Sequence, residues 1–252
     1  NRRKLPRLHS NSCCSPLGQK FVNMTYDRGW HGINVEPGPG FALIERERPR
    51  DLNVCAAITD FDGEIDFYVN DDLQATSSIY SEIHPSVSAR SKSRSHRRVP
   101  AMTLDTLAER HIGARQIDFL KIDAEGAEGT IIRSTNWKML RPRIIVAEST
   151  EPFSTKRVDS EWVDLLEQNG YRETYFDGIN TWFIREENPS DAEYFRVPVN
   201  VLDNFVRYDP RLPKTLGSGT DAQQSARRKP VLRRFRRSLA KRLRNVAARL
   251  EA

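Results

Sequence analysis

Only three cysteines occur in 252 residues, Cys13, Cys14 and Cys55, and three thiols cannot all pair within one chain. No Cys-x-x-Cys spacing accompanies them, so neither a disulfide framework nor a thiolate zinc site is expected, and a reducing compartment is the simplest setting. The five histidines are as sparse. His31 lies between Trp30 and Gly32, His84 and His111 are isolated, and no histidine stands four residues from another metal ligand in a recognisable metal-site pattern. On these grounds no metal is expected. No run of about 18 apolar residues is present to span a bilayer, and the polar opening Asn1-Arg-Arg-Lys-Leu-Pro-Arg7 lacks the apolar segment of a secretory signal. A cytoplasmic protein is therefore expected. The chain opens on Asn1 rather than Met, and its start is expected upstream. Neither a Gly-x-Ser-x-Gly elbow nor a P-loop appears, which removes two common hydrolase classes.

What is present is a chain with 38% hydrophobic residues, enough to bury one substantial core. The net charge of +6 hides an asymmetry. From Asp221 to Ala252 the charge is +9, which leaves the body at −3, so only the tail makes the protein basic. Residues 206–230 are rich in Pro, Gly, Ser and Gln and read as a linker.

From Tyr26 to about Ile184 short apolar segments alternate with amphipathic or polar ones, the pattern of βα units around a parallel sheet. Strands are expected at Gly32–Glu36, Leu52–Ile58, Ile117–Ile122 and Arg143–Glu148, with Asp66–Val69 as a side strand or hairpin arm after the turn at Asp62-Gly63. Helices are expected at Met102–His111, from about Ala127 to Leu140, and at Asp159–Asn169, the last stopping at Gly170. Tyr171–Phe176 and Thr181–Ile184 flank Asp177-Gly178-Ile179-Asn180 and read as a closing antiparallel hairpin. Ser86–Arg98, with almost nothing apolar, reads as an exposed loop.

The strand Ile117–Ile122 runs straight into Asp123, Glu125 and Glu128. In open α/β sheets ligands lie outside the carboxyl ends of the strands, so these acids are candidates to face a bound molecule. Asp123 can orient or deprotonate a substrate hydroxyl, or help to neutralise a cation. Equally, it can cap the following helix, with Glu125 and Glu128 as first-turn acids that complement the helix dipole. Glu36, at the tip of another strand, can accept two hydrogen bonds from the hydroxyls of a ribose, or be a solvated strand-end carboxylate. Lys121 alternates with the apolar residues of its strand and reads as salt-bridged or solvent-reaching rather than as a nucleophile.

Seven segments in order resemble the FkbM-type methyltransferases: Tyr26-Asp-Arg-Gly-Trp-His-Gly-Ile-Asn-Val-Glu-Pro37, Arg48-Pro-Arg-Asp-Leu-Asn-Val54, Met102-Thr-Leu-Asp105, Ile117-Asp-Phe-Leu-Lys-Ile-Asp-Ala-Glu-Gly-Ala-Glu128, Arg141-Pro-Arg-Ile-Ile-Val-Ala-Glu148, Tyr175-Phe-Asp-Gly-Ile-Asn180 and Pro198-Val-Asn-Val-Leu-Asp-Asn204. The likeness covers about residues 16–205. It implies an α/β fold with a Rossmann-like class I methyltransferase sheet, mostly parallel with a C-terminal antiparallel hairpin. It also implies S-adenosylmethionine as cofactor and methylation of a hydroxyl on a sugar, glycan or polyketide. By the same resemblance Glu36, followed by Pro37, matches the ribose-binding acid. Ala57, Ile58 and Asp60 match the adenine side of the cofactor cleft, and Asp123, with Glu125 beside it, matches the strand-end acid next to the methyl donor.

One part of the pattern is missing. The family's first strand ends in a glycine-rich turn where the backbone approaches the cofactor closely, but here the corresponding place holds Leu8-His-Ser-Asn-Ser-Cys-Cys-Ser-Pro16, and no glycine precedes Gly18. Residues 1–15 are therefore an atypical segment and the first strand is degenerate or missing, through truncation, a shifted frame or divergence. Weak or absent binding of S-adenosylmethionine is expected, which a micromolar affinity by isothermal titration would contradict, and the alternative function is a non-catalytic protein that keeps the methyltransferase fold.

In the tail, Leu232, Phe235, Leu239, Leu243, Val246 and Leu250 recur at spacings of 3 and 4 between Arg and Lys, which predicts a basic amphipathic helix over 231–252. Three partners compete: an acidic membrane surface, which would place the protein at the inner membrane face, a partner helix, and nucleic acid. The apolar stripe ranks nucleic acid last, because phosphate contact does not need it.

Overall fold

The computed structural model describes residue 26 and residues 29–197. The expected N-terminal segment 1–15, the linker 206–230 and the basic helix 231–252 lie outside the described residues.

The described residues up to Pro189 form one compact unit. Its described elements are, in order, β1 (Ile33–Val35), α1 (Phe41–Glu47), β2 (Leu52–Val54), β3 (Ala57–Ile58), β4 (Gly63–Asn70), α2 (Pro85–Ser88), β5 (Arg94–Met102), α3 (Leu104–His111), β6 (Phe119–Ile122), α4 (Glu128–Ser134), β7 (Ile144–Glu148), α5 (Ser160–Gln168), β8 (Tyr171–Phe176) and β9 (Asn180–Arg185). The fold is mixed α/β. The strands form three sheets: the parallel pair β1-β2, a three-stranded sheet β3-β5-β4, and a four-stranded sheet β6-β7-β9-β8.

A single, mostly parallel sheet is therefore not what the described strands make. Parallel pairs are β1 with β2, β3 with β5 and β6 with β7, while β4-β5, β7-β9 and β8-β9 are antiparallel. The first strand that the resemblance calls for falls in residues outside those described.

Local sequence explains most of the elements. The buried pair of Arg48 Nε and Asp51 Oδ2, 2.7 Å apart, sits at the entry to β2, and Asp51 Oδ1 accepts from the Gly32 amide at 2.9 Å, which fixes the register of β1 on β2. Helix α3 starts at Thr103, whose hydroxyl accepts from the Thr106 amide at 3.0 Å, an N-cap of the usual kind. Both faces of β6 and β7 are covered. Leu120, Ile122, Ile145 and Ala147 enter the main core with Leu107, Ile132, Leu166 and Phe183, and Phe119, Ile144 and Val146 form a second cluster with Trp30 and Trp182. Near-continuous apolar strands of this kind are what a sheet buried on both sides requires.

Several expected boundaries shift. Leu52–Ile58 is not one strand: it breaks at Cys55-Ala56, and β3 leaves β2 to pair with β5. Ser86–Arg98 is not a loop throughout, since Pro85–Ser88 is helical and Arg94–Met102 is a nine-residue strand. That strand lacks an apolar stripe because its partner β4 supplies side-chain pairs instead: Arg98 lies 3.7 Å from Glu64 and 4.0 Å from Asp66, and the Tyr68 and His96 rings are 5.7 Å apart. Helix α4 ends at Ser134 rather than near Leu140, because Thr135 turns extended and the Trp137 indole donates back to the Ile132 carbonyl at 2.9 Å.

Candidate active site

Register brings the acids together. Ile122 pairs with Ala147 across the parallel strands β6 and β7, so the next residue on each, Asp123 and Glu148, stand side by side at the strand tips on one face. Neighbouring strands lie about 4.8 Å apart. Lys121, two residues before Asp123, shares that face, and its ammonium is hydrogen-bonded to Asp123 Oδ2 with both side chains buried.

A tight turn adds the third acid. Glu125 and Gly126 adopt φ of 49° and 101°, a left-handed pair that folds the chain back before α4, and glycine carries the second of these without Cβ strain. The Glu128 carboxylate then accepts from the Ala124 amide at 2.6 Å and the Gly126 amide at 3.0 Å. One carboxylate oxygen from each of Asp123, Glu128 and Glu148 lies within 4.8 Å of the others.

This crowding sets the protonation. Burial pushes the Glu148 carboxyl up to about 10, reinforced by the charges of Asp123, Glu125 and Glu128 and by a hydrogen bond with Asp123. Burial raises Glu128 to about 7, with Asp123 adding to the shift and the loop amides opposing it. At neutral pH, Glu148 therefore holds a proton beside the Asp123 carboxylate.

Glu36 follows β1 and continues its ladder, its amide donating to the Val54 carbonyl at 3.1 Å. It is 3% exposed, so the solvated strand-end alternative is ruled out. Its Oε1 accepts from the Gly38 amide at 2.7 Å. A Cβ at Gly38 would fall 2.5 Å from that oxygen and 3.3 Å from the Phe67 ring. Gly38→Ala is therefore expected to swing the Glu36 carboxylate away and to cost about 1–3 kcal/mol, the usual range for overpacking, which a denaturant titration would read.

Pro37 is buried, and its carbonyl accepts from Arg97 at 3.0 Å. Ala57 and Ile58 are buried in β3. Asp60 is exposed and accepts from the Thr59 hydroxyl at 3.0 Å.

The β4–β5 hairpin and its connection touch both strand tips. Phe67 of β4 lies against Gly38 and Arg97 of β5 holds Pro37, while Ser78, bridged to Tyr68 of β4, donates to the Glu125 carbonyl at 2.8 Å. The Tyr80 ring lies against Gly126, and its hydroxyl is 3.0 Å from that of Thr130.

Asp123 does not cap a helix. The N-cap of α4 is Ala127, without a side-chain bond, and it is Glu128 that reaches back to the turn. Lys121 is salt-bridged, as its alternation implied. His84 serves as a cap, its Nδ1 accepting from the Ser86 amide at 3.3 Å. Glu148 lies outside the acid-rich motif and joins the group through the same signal as Asp123, an acid that ends an apolar strand.

A family model described as Methyltransferase FkbM domain matches residues 12–173. No curated protein and no solved structure matches the chain.

Proposed function

The chain belongs to the FkbM-domain methyltransferases, and from that premise we propose that it transfers a methyl group from S-adenosylmethionine to a hydroxyl oxygen, on a sugar, glycan or polyketide. The sheets β1-β2 and β6-β7-β9-β8 are taken as the two halves of a Rossmann-like arrangement. The observation that carries the proposal is the pair of buried acids at strand tips, Glu36 after β1 and Asp123 after β6, the first on a turn touched by the β4–β5 hairpin and the second on a turn touched by the connection between its strands. This is the crevice position for ligands in open α/β folds.

The residues present suit the cofactor on its nucleoside side. Glu36 offers a buried carboxylate for the ribose hydroxyls, next to a glycine that leaves no side chain in the way. Ala57, Ile58 and Asp60 would flank the adenine, with Asp60 the exposed polar member. The cofactor supplies an activated methyl on a sulfonium. The protein's part is to align the acceptor oxygen, which contributes most through orientation, and to take its proton. Asp123 is the base of choice, with Glu125 on the adjoining turn as a second carboxylate for the acceptor. The Ser77–Arg98 segment, which reaches Glu125 through Ser78, is the place for acceptor selection.

One observation favours a second function, a member of the fold without donor binding: the place that corresponds to the family's glycine-rich turn holds Leu8-His-Ser-Asn-Ser-Cys-Cys-Ser-Pro16. Transfer of labelled methyl from S-adenosylmethionine to a panel of free sugars and glycans, with calorimetry of donor binding, separates the two. The methyltransferase assignment predicts incorporation into at least one acceptor, and a donor affinity weaker than micromolar that Glu36→Gln lowers at least about tenfold, the loss of roughly one charge-assisted hydrogen bond. No heat of binding at millimolar donor would select the second function.

A further inference from the structure

We propose that Asp123, Glu128 and Glu148 form a binding site for a hard divalent cation such as Mg²⁺, Mn²⁺ or Ca²⁺. The sequence offers Asp123 as a carboxylate that can help to neutralise a cation but does not assemble the site, because none of the usual metal-ligand spacings is present and the three residues come from a strand tip, a helix start and a second strand tip.

Geometry is the first ground. Two oxygens bound to one Ca²⁺ at about 2.4 Å lie at most about 4.8 Å apart, and two on one Mg²⁺ at about 2.1 Å at most about 4.2 Å; the three carboxylates present oxygens within 4.8 Å of one another, which suits Ca²⁺ as it stands and the smaller ions after the carboxylates draw in. Asp123 and Glu128 are buried and Glu148 partly so, which separates this group from acids that meet on a wet surface. All three ligands are carboxylates, the choice of Mg²⁺, Mn²⁺ and Ca²⁺ over softer metals.

The second ground is independent of the clustering. Asp123 Oδ1 is buried, in a residue only 6% exposed, and meets no amide, hydroxyl or cationic donor among the described residues, so that within the cluster only a proton on Glu148 is there to bridge to Asp123. Lys121 occupies the other oxygen, Oδ2. A buried carboxylate oxygen without a donor is costly, and this one belongs to a group whose neighbours Glu128 and Glu148 bear further acidic oxygens. A hydroxyl from an acceptor would satisfy Asp123 alone and leave the other two carboxylates facing it. A divalent cation satisfies all three at once. Glu128 keeps its loop bonds to Ala124 and Gly126 and offers its remaining lone pairs, so the turn that those amides fix would also fix a ligand.

The site does not depend on the methyltransferase assignment. Where both hold, Asp123 would serve as a ligand of the cation rather than as a free base, and the cation would lower the pKa of a hydroxyl bound to it.

The test is a titration of Mn²⁺ into the full chain without donor or acceptor, with free Mn²⁺ read by electron paramagnetic resonance and with Mg²⁺ and Ca²⁺ as competitors. One site per chain is expected, with Kd at or below about 1 mM. Glu148→Gln should weaken it at least about tenfold, and Glu148→Asp, which keeps the charge and shortens the reach, should weaken it as well, so that one misfolded variant does not decide the outcome. Glu161→Gln, on the exposed face of α5, should leave it unchanged. Absence of a site in the wild type, or equal affinity in both folded Glu148 variants, would overturn the proposal and leave a proton shared between carboxyl groups as the only occupant. Because no donor is present, failure here leaves methyl transfer standing, and failure of methyl transfer leaves a measured cation site standing.

Discussion

Asp123→Asn is expected to lower methyl transfer by about 10²- to 10⁴-fold, the range for loss of a positioned general base. The substitution keeps the shape of the side chain and removes its charge and its basicity. It also removes the carboxylate to which the buried Lys121 ammonium is bound, and breaking a buried pair from one side costs up to about 3–5 kcal/mol. Lost activity could then reflect lost fold. The double variant Lys121→Met/Asp123→Asn separates the two effects: it is expected to regain part of the stability and none of the activity. Recovery of activity with stability would assign Asp123 to the scaffold alone.

A second large effect on stability is expected at Glu148, and it depends on pH. Glu148 and Glu128 are raised in the folded state, to about 10 and about 7, above the ordinary value near 4.5 that both regain on unfolding. Between those limits the folded chain holds more protons than the unfolded one, so stability falls as pH rises. The contribution is complete below about pH 4.5, declines through about 7 as Glu128 ionises, and is lost as pH passes about 10. Glu148→Gln keeps a neutral side chain of the same shape throughout. In chelator, to keep cations out, it is expected to melt above the wild type at pH 9 by about 4–8 °C, equivalent to on the order of 2 kcal/mol, and by much less at pH 5. A difference independent of pH would mean that the Glu148 carboxyl is not held protonated by its neighbours.

The legibility of this fold varied with the kind of force behind each part. Strands β6 and β7 and the β8–β9 hairpin are written plainly, because apolar runs bounded by turn residues have one economical use. Strand β5 is hidden, since Arg94, His96 and Arg98 are held by Tyr68, Glu64 and Asp66 on its partner, and such pairing has no periodicity within one strand. Helix α1 is hidden in another way, as Gly38-Pro39-Gly40 ahead of it reads as a turn and says nothing of the seven helical residues that follow.

At the site, the acids after Ile122 were visible as candidates, and so was Glu36. Their environment was not. That Glu148 stands beside Asp123 follows from the pairing of Ile122 with Ala147, and that Glu128 turns back to the loop follows from the left-handed pair Glu125-Gly126. Register and positive φ are properties of the folded chain, and the local sequence does not determine them. The N-terminal segment that departs from the family pattern, Leu8–Pro16, lies outside the described residues.

Hydrogen–deuterium exchange of the full chain with and without millimolar S-adenosylmethionine bears most directly on whether the acids at the ends of β1 and β6 serve a single ligand. Slower exchange is predicted in two peptides together, one spanning Glu36–Gly40 and one spanning Asp123–Gly126, and both changes should vanish in Glu36→Gln. Protection of one segment without the other, or of neither at saturating donor, would contradict a shared site.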